Sequence, residues 1–132
     1  MAVHVKGLAV IQWPVKDIDV SLAWYQSVLG ASLNFPYAQG DDAAWLKLGN
    51  VAFGLVLTAK VPNLAYADIR GSLRPILEFQ IDNIHEAYGE LASIGAAVGD
   101  MQHSAEGGYG FMLSDPDGHA VRLWGGWPTG AE

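Results

Sequence analysis

Cysteine is absent from this 132-residue chain. Disulfides, thiolate nucleophiles and cysteine-ligated zinc are therefore excluded, and the absence suits a reducing compartment. Positive charge is also scarce: 7 Lys and Arg stand against 14 Asp and Glu, a formal net charge of -7. No Lys/Arg run exists to neutralise a phosphate backbone or an anionic lipid surface, so neither nucleic acid nor membrane is an expected partner. Long hydrophobic runs are missing too. None reaches the roughly 18 residues of a spanning helix, because Lys16, Asp17 and Asp19 interrupt the first candidate. The opening Met1-Ala2-Val3-His4-Val5-Lys6 carries no signal-peptide cleavage pattern,. The expectation is a soluble cytoplasmic protein, long enough for one domain or two small fused modules.

What is present is a doubled pattern. Gly7 to Trp13 reads as a strand stopped by Pro14,. Asp17 or Asp19 caps a helix whose stripe is Ile18, Leu22, Tyr25 and Leu29, and Gly30 ends it,. Leu33 to Tyr37, Ala43 to Leu48 and Val51 to Thr58 read as strands, with Gly49-Asn50 as the turn between the last two,. Residues 59–73 read as a connector marked by Pro62, Asn63 and Gly71. Then the order recurs. Pro75 to Ile81 is a strand, and Asp82 or Asn83 caps a helix with the face Ile84, Tyr88, Leu91 and Gly95. Strands follow from Ala96 to Met101, Tyr109 to Ser114 and Ala120 to Trp124, with Asp115-Pro116-Asp117-Gly118 as a turn,. Val15-Lys16-Asp17-Ile18 matches Ile81-Asp82-Asn83-Ile84 at an offset of 66 residues. A unit of a few strands and one helix leaves a sheet face uncovered, which is a physical reason for doubling it. The fold class is α+β, two βαβββ modules in tandem over 7–60 and 73–126.

Asp17 through Gly30, with Ala23-Trp24-Tyr25-Gln26-Ser27-Val28-Leu29-Gly30, resembles the first-helix signature of the vicinal oxygen chelate superfamily. That superfamily holds the glyoxalases, the bleomycin-resistance proteins and the extradiol dioxygenases. Ser114-Asp115-Pro116-Asp117-Gly118-His119 is similar to the turn before the family's last strand. The resemblance spans residues 8–124. It implies sheets that curl into a cup with a central cavity, and a homodimer. It also implies where a metal would be held: five residues before the strand-to-helix Val or Ile in each module, and four after the turn Gly. Those positions carry Val10, Ile76 and Arg122, and the internal offset carries Arg122 back to Val56. Three aliphatic groups and a guanidinium offer no donor pair to a divalent ion. No metal, no other cofactor and no catalytic residue of the family kind is expected. The chain resembles the metal-free, bleomycin-resistance-like branch instead.

Alternation along strands then places Gln12 beside Val10, Glu78 and Gln80 beside Ile76, and Trp124 beside Arg122. With Val56 below and Tyr109 at the mouth, this is the expected lining for a bulky aromatic or planar organic ligand, an antibiotic among the candidates. Glu78 and Arg122 read either as an ion pair across the sheet or as ligand contacts. Trp13 and Trp24 read as packing, Trp124 as a stacking wall, and Trp127 as a cover or a surface anchor. His103 with Glu106 is an acid–base pair by sequence proximity, whereas His4, His85 and His119 form no spaced metal motif. Gly107-Gly108-Tyr109-Gly110 lacks the Lys and helix of a phosphate loop,. Three alternatives stay open: a metal-independent isomerase or lyase using Glu78, His103 or Arg122; a structural or regulatory partner whose cup is partly filled by its own side chains; and a metal centre moved to Gln12 and Glu78.

Overall fold

Asp17 is where the first module turns from strand to helix. In the computed structural model, which describes residues 2–126, its extended backbone and its carboxylate, accepting from the Val20 amide at 3.2 Å, cap α1 (Ile18–Leu29),. Ile18, Leu22 and Tyr25 are buried along one stripe, and Gly30, at φ 70°, supplies the left-handed residue that ends the helix,. Before it lies β1 (Ile11–Val15); after it come β2 (Ser32–Leu33), β3 (Ala43–Leu48) and β4 (Val51–Leu57). The sheet order is β1-β4-β3-β2, with β1 parallel to β4 and the other pairs antiparallel. Trp13, Leu46, Phe53 and Leu55 face the helix and are buried.

The chain divides between Pro62 and Asn63 into two compact units. The second opens with a hairpin of β5 (Ala65–Ala67) and β6 (Leu73–Pro75), then repeats the first unit's order: β7 (Leu77–Gln80), α2 (Ile84–Ser93), β8 (Gln102–Ser104), β9 (Gly108–Ser114) and β10 (Ala120–Trp124). Its sheet order, β7-β10-β9-β8, copies the first, including the parallel pairing of β7 with β10. Phe111, Leu113, Val121 and Leu123 form the buried face, and Tyr88 of α2 meets Phe111 edge-on at 4.9 Å. The architecture is α+β, with two βαβββ modules in tandem.

Several boundaries differ from expectation, each for a local reason. Pro14 lies inside β1 rather than ending a strand. The strand is at a sheet edge, where a missing N–H breaks no ladder,. The strand expected over 33–37 shrinks to β2, since Pro36 has no donor to continue it,. Residues 59–73, read as connector, contain β5 and the start of β6. The strand expected over 96–101 makes only a bridge from Val98 to Leu113, and β8 begins at Gln102. Asn83 does cap α2, but at φ 53° and with no side-chain capping bond. Trp127 lies outside the described residues. Among the described residues, no helix is long and apolar enough to cross a membrane.

Candidate functional site

Strand register decides which side chains share a face. In the second unit Arg122 pairs with Glu78 on one side and Met112 on the other, and Trp124 pairs with Gln80 and Gly110. Leu77, Val121, Leu123, Phe111 and Leu113 are buried on the helix side. Glu78, Gln80, Met112, Arg122 and Trp124 therefore project from the opposite face, and by alternation the exposed Ile76 points the same way,. In the first unit, Gln12 and Val56 share the face opposite α1, because their neighbours Trp13, Phe53 and Leu55 are buried against the helix. Val10 lies half-buried just before β1.

Two expected positions change. Tyr109 is not on the Arg122 face. It alternates with Gly110, so it turns to the α2 side, where its ring meets His85 at 4.6 Å and His103 at 4.5 Å. The glycines around it hid the strand's start, so its parity had no anchor in the sequence. Val56 is not the counterpart of Arg122. Gln12 is opposite Gly54 as Glu78 is opposite Arg122, so Gly54 holds that place and Val56 matches Trp124. The second unit carries extra residues between its helix and last strand, including a longer turn between β9 and β10, and a fixed offset cannot follow them. Val10, Gly54, Ile76 and Arg122 have no carboxylate, imidazole or thiolate among them, and a guanidinium repels a cation. The residues present do not fit a divalent ion at the family position.

The face of the second sheet borders a cavity of about 950 Å3. Arg122 and Glu78 form an ion pair at its floor. Arg122 is the drier partner, its side chain 20% exposed against 48% for Glu78. Trp124 forms a wall, with its indole N–H donating to the Gly107 carbonyl at 2.7 Å. The β5–β6 hairpin supplies Tyr66 and Arg74 as a second wall. Sequence reading missed this wall, although Asp68 and Gly71 are spaced as a β-turn, and the Gly71 amide does donate to the Asp68 carbonyl at 2.9 Å,. Gln80 borders a second cavity of about 890 Å3 beside the start of α2, and Trp124 is common to both.

Asp68 fixes the hairpin. Its carboxylate accepts from Arg74 Nε at 2.8 Å and from the amides of Arg70 and Ser72 at 2.9 and 3.0 Å. The Arg74 hydrogen bond first, and then the Ser72 amide, hold its carboxyl below the ordinary value. A depressed folded value means that the bound-state advantage is complete above the unfolded carboxylate range and is lost as pH falls through the folded value. Amide exchange at Arg70 and Ser72 should accordingly quicken, relative to the β9–β10 ladder, only when pH drops below the usual aspartate range. Equal quickening in Asp68→Asn and parent at neutral pH would contradict this.

His103 and Glu78 do not share a face: His103 pairs across from Tyr109 on the α2 side. One cluster of three metal-ligating side chains exists among the described residues. Asp115, Asp117 and His119 have ligand atoms within 4.8 Å of one another. Asp115 is 5% exposed, and its Oδ1 already accepts from the amides of Asp117 and His119, both at 2.9 Å. That geometry shapes the turn between β9 and β10.

The family model described as the Glyoxalase-like domain matches residues 9–124. Similar folds among solved structures include the fosfomycin resistance protein FosX of Listeria monocytogenes, at TM-score 0.74 and 18% identity over 93% of this chain and 95% of that one. A glyoxylase/bleomycin resistance protein/dioxygenase domain from Frankia sp. EAN1pec gives TM-score 0.69 and 23% identity, over 93% and 99%. Lactoylglutathione lyase of Agrobacterium tumefaciens gives 0.67 and 18%, over 98% and 100%. A FosX variant was solved with Mn(II) and a dihydroxypropylphosphonic acid. No curated protein matches this sequence at a significant level.

Proposed function

The chain belongs to the Glyoxalase-like domain family of the vicinal oxygen chelate superfamily, and from that premise we propose that it binds a bulky aromatic or planar small molecule without a metal at the family position. Capture of such a molecule would protect a cell from it, so an antibiotic is the natural class to try first. Fosfomycin and bleomycin resistance are named among the structural neighbours. At their low identities they share the fold, and the ligand must be argued from this chain's own residues.

One observation carries the reading. Where the family would need an anionic donor on its last strand, this chain has Arg122, and two residues on, along the same face, it has Trp124 bordering a cavity. A guanidinium cannot be a ligand to a metal, but beside an indole it offers an organic guest both a flat surface and N–H donors. Part of the same reading is that the protein is a cytoplasmic homodimer that engages neither nucleic acid nor membrane. Sedimentation equilibrium checks the dimer.

Titration with a panel of planar aromatic drugs and dyes should quench the tryptophan fluorescence saturably. Trp124→Ala should weaken the affinity about tenfold, the equivalent of about 1.4 kcal/mol, in line with a lost stacking contact plus its buried area. Silence across a diverse panel, or identical affinity in the variant, would remove the basis for the proposal.

A further inference from the structure

Resting on that reading, we infer that the guest of the second unit's cavity is an aromatic carboxylate, and that Glu78 holds the carboxylate's place until the guest arrives. The chain is acidic overall, yet two of its three arginines, Arg74 and Arg122, line this one cavity. They differ in what fixes them. Arg122 is held from below. A Cβ on Gly110 would collide with the guanidinium's Cζ and both of its terminal nitrogens, so the group sits directly against the bare backbone of β9. Only glycine permits that approach. Its position is thus set by the sheet and is ready before any ligand comes.

Glu78 is not set in that way. It is the wetter half of the pair, with nearly half its side chain exposed. Moving its carboxylate out to water costs little desolvation, whereas Arg122 left without an anion on the drier floor is unfavourable. An incoming carboxylate resolves this by taking the same N–H donors, a geometry that guanidinium matches in bidentate fashion. Arg74, with its Nε given to Asp68 and its side chain 60% exposed, offsets the Asp68 charge that would otherwise repel a carboxylate at the hairpin wall. Trp124 lies two residues from Arg122 on the same face. That places the indole about 7 Å along the strand from the guanidinium's root, near the reach from the carboxyl group of a two-ring aromatic acid to its outer ring. A neutral or cationic guest would leave Arg122 with Glu78 and form no charge-assisted bidentate pair with the guanidinium.

The test compares three probes of one shape by calorimetry on the full chain: naphthoate, its uncharged amide, and naphthylmethylammonium. Naphthoate should bind at least tenfold tighter than the amide, and the ammonium weakest. Glu78→Gln, which removes the internal competitor, should tighten naphthoate several-fold and leave the amide unchanged. Arg122→Gln should erase the preference, and so should Gly110→Ala, which keeps the arginine but lifts it. Should either of these fail to fold, Arg74→Gln, at the exposed wall, should narrow the preference at least twofold. Equal binding of naphthoate and the amide would overturn the carboxylate inference while leaving a planar-ligand site intact. A preference that survives Arg122→Gln in a folded protein would overturn the assignment to Arg122. No binding of any of the three would overturn the inference, and whether it also removes the binding reading is decided by the drug and dye panel.

Discussion

Phe53→Ala should lower the stability of the protein by about 3–5 kcal/mol, the cost of deleting a fully buried aromatic ring and leaving its cavity behind. Phe53 is 0% exposed. Its ring meets Trp13 of β1 at 5.8 Å and Tyr25 of α1 at 5.2 Å. One side chain on β4 therefore joins the parallel strand pair to the helix, and these rings are the largest buried groups of the first unit. Against a typical total of about 5–15 kcal/mol for a folded protein, the loss removes a large share. Urea unfolding followed by tryptophan fluorescence reads it directly, because Trp13 is itself in the cluster. Phe53→Leu, which keeps most of the volume, should cost far less. A midpoint unmoved by Phe53→Ala would mean that the first module is not organised around this triad.

The first module shows why so much of the fold is legible in the sequence alone. Asp17, the stripe from Ile18 to Tyr25 and Gly30 specify start, face and end of α1 by local chemistry alone, and the structure uses each for that purpose. Ala43–Leu48 and Val51–Leu57 around Gly49-Asn50 are specified just as locally. The tandem order followed because each helix begins at the same step after its strand. Legibility ended where a decision belonged to the register. Strand pairing moved the counterpart of Arg122 from Val56 to Gly54, and parity sent Tyr109 to the α2 side. Glu78 and Arg122 were legible as a pair because both sit on regular strands within one unit. The floor that Gly110 provides was not, since nothing in a sequence says which glycine lies beneath which side chain. The β5–β6 wall escaped for another reason: strands of three residues carry too little alternation to be seen.

Asp115 separates a structural from a metal-binding reading of its cluster. Its Oδ1 accepts the amides of Asp117 and His119, both at 2.9 Å, while its carbonyl accepts the Gly118 amide at 2.9 Å and its own amide donates to the His119 carbonyl at 3.0 Å. The turn delivers β10, and so Arg122 and Trp124, to the second sheet. Asp115→Ala removes the acceptor and leaves two N–H groups in a nearly closed turn, at about 1–3 kcal/mol for each orphaned group. The expected loss is about 2–6 kcal/mol for the two groups. Asp115→Asn keeps an oxygen in place and should recover most of it. Thermal unfolding with and without a chelator distinguishes the two readings. If the cluster only shapes the turn, the chelator leaves the parent's midpoint where it was, and Asn nearly matches Asp. A chelator-dependent midpoint that vanishes in both variants would instead mean that an ion holds this turn together, and the hydrogen-bond account would fall.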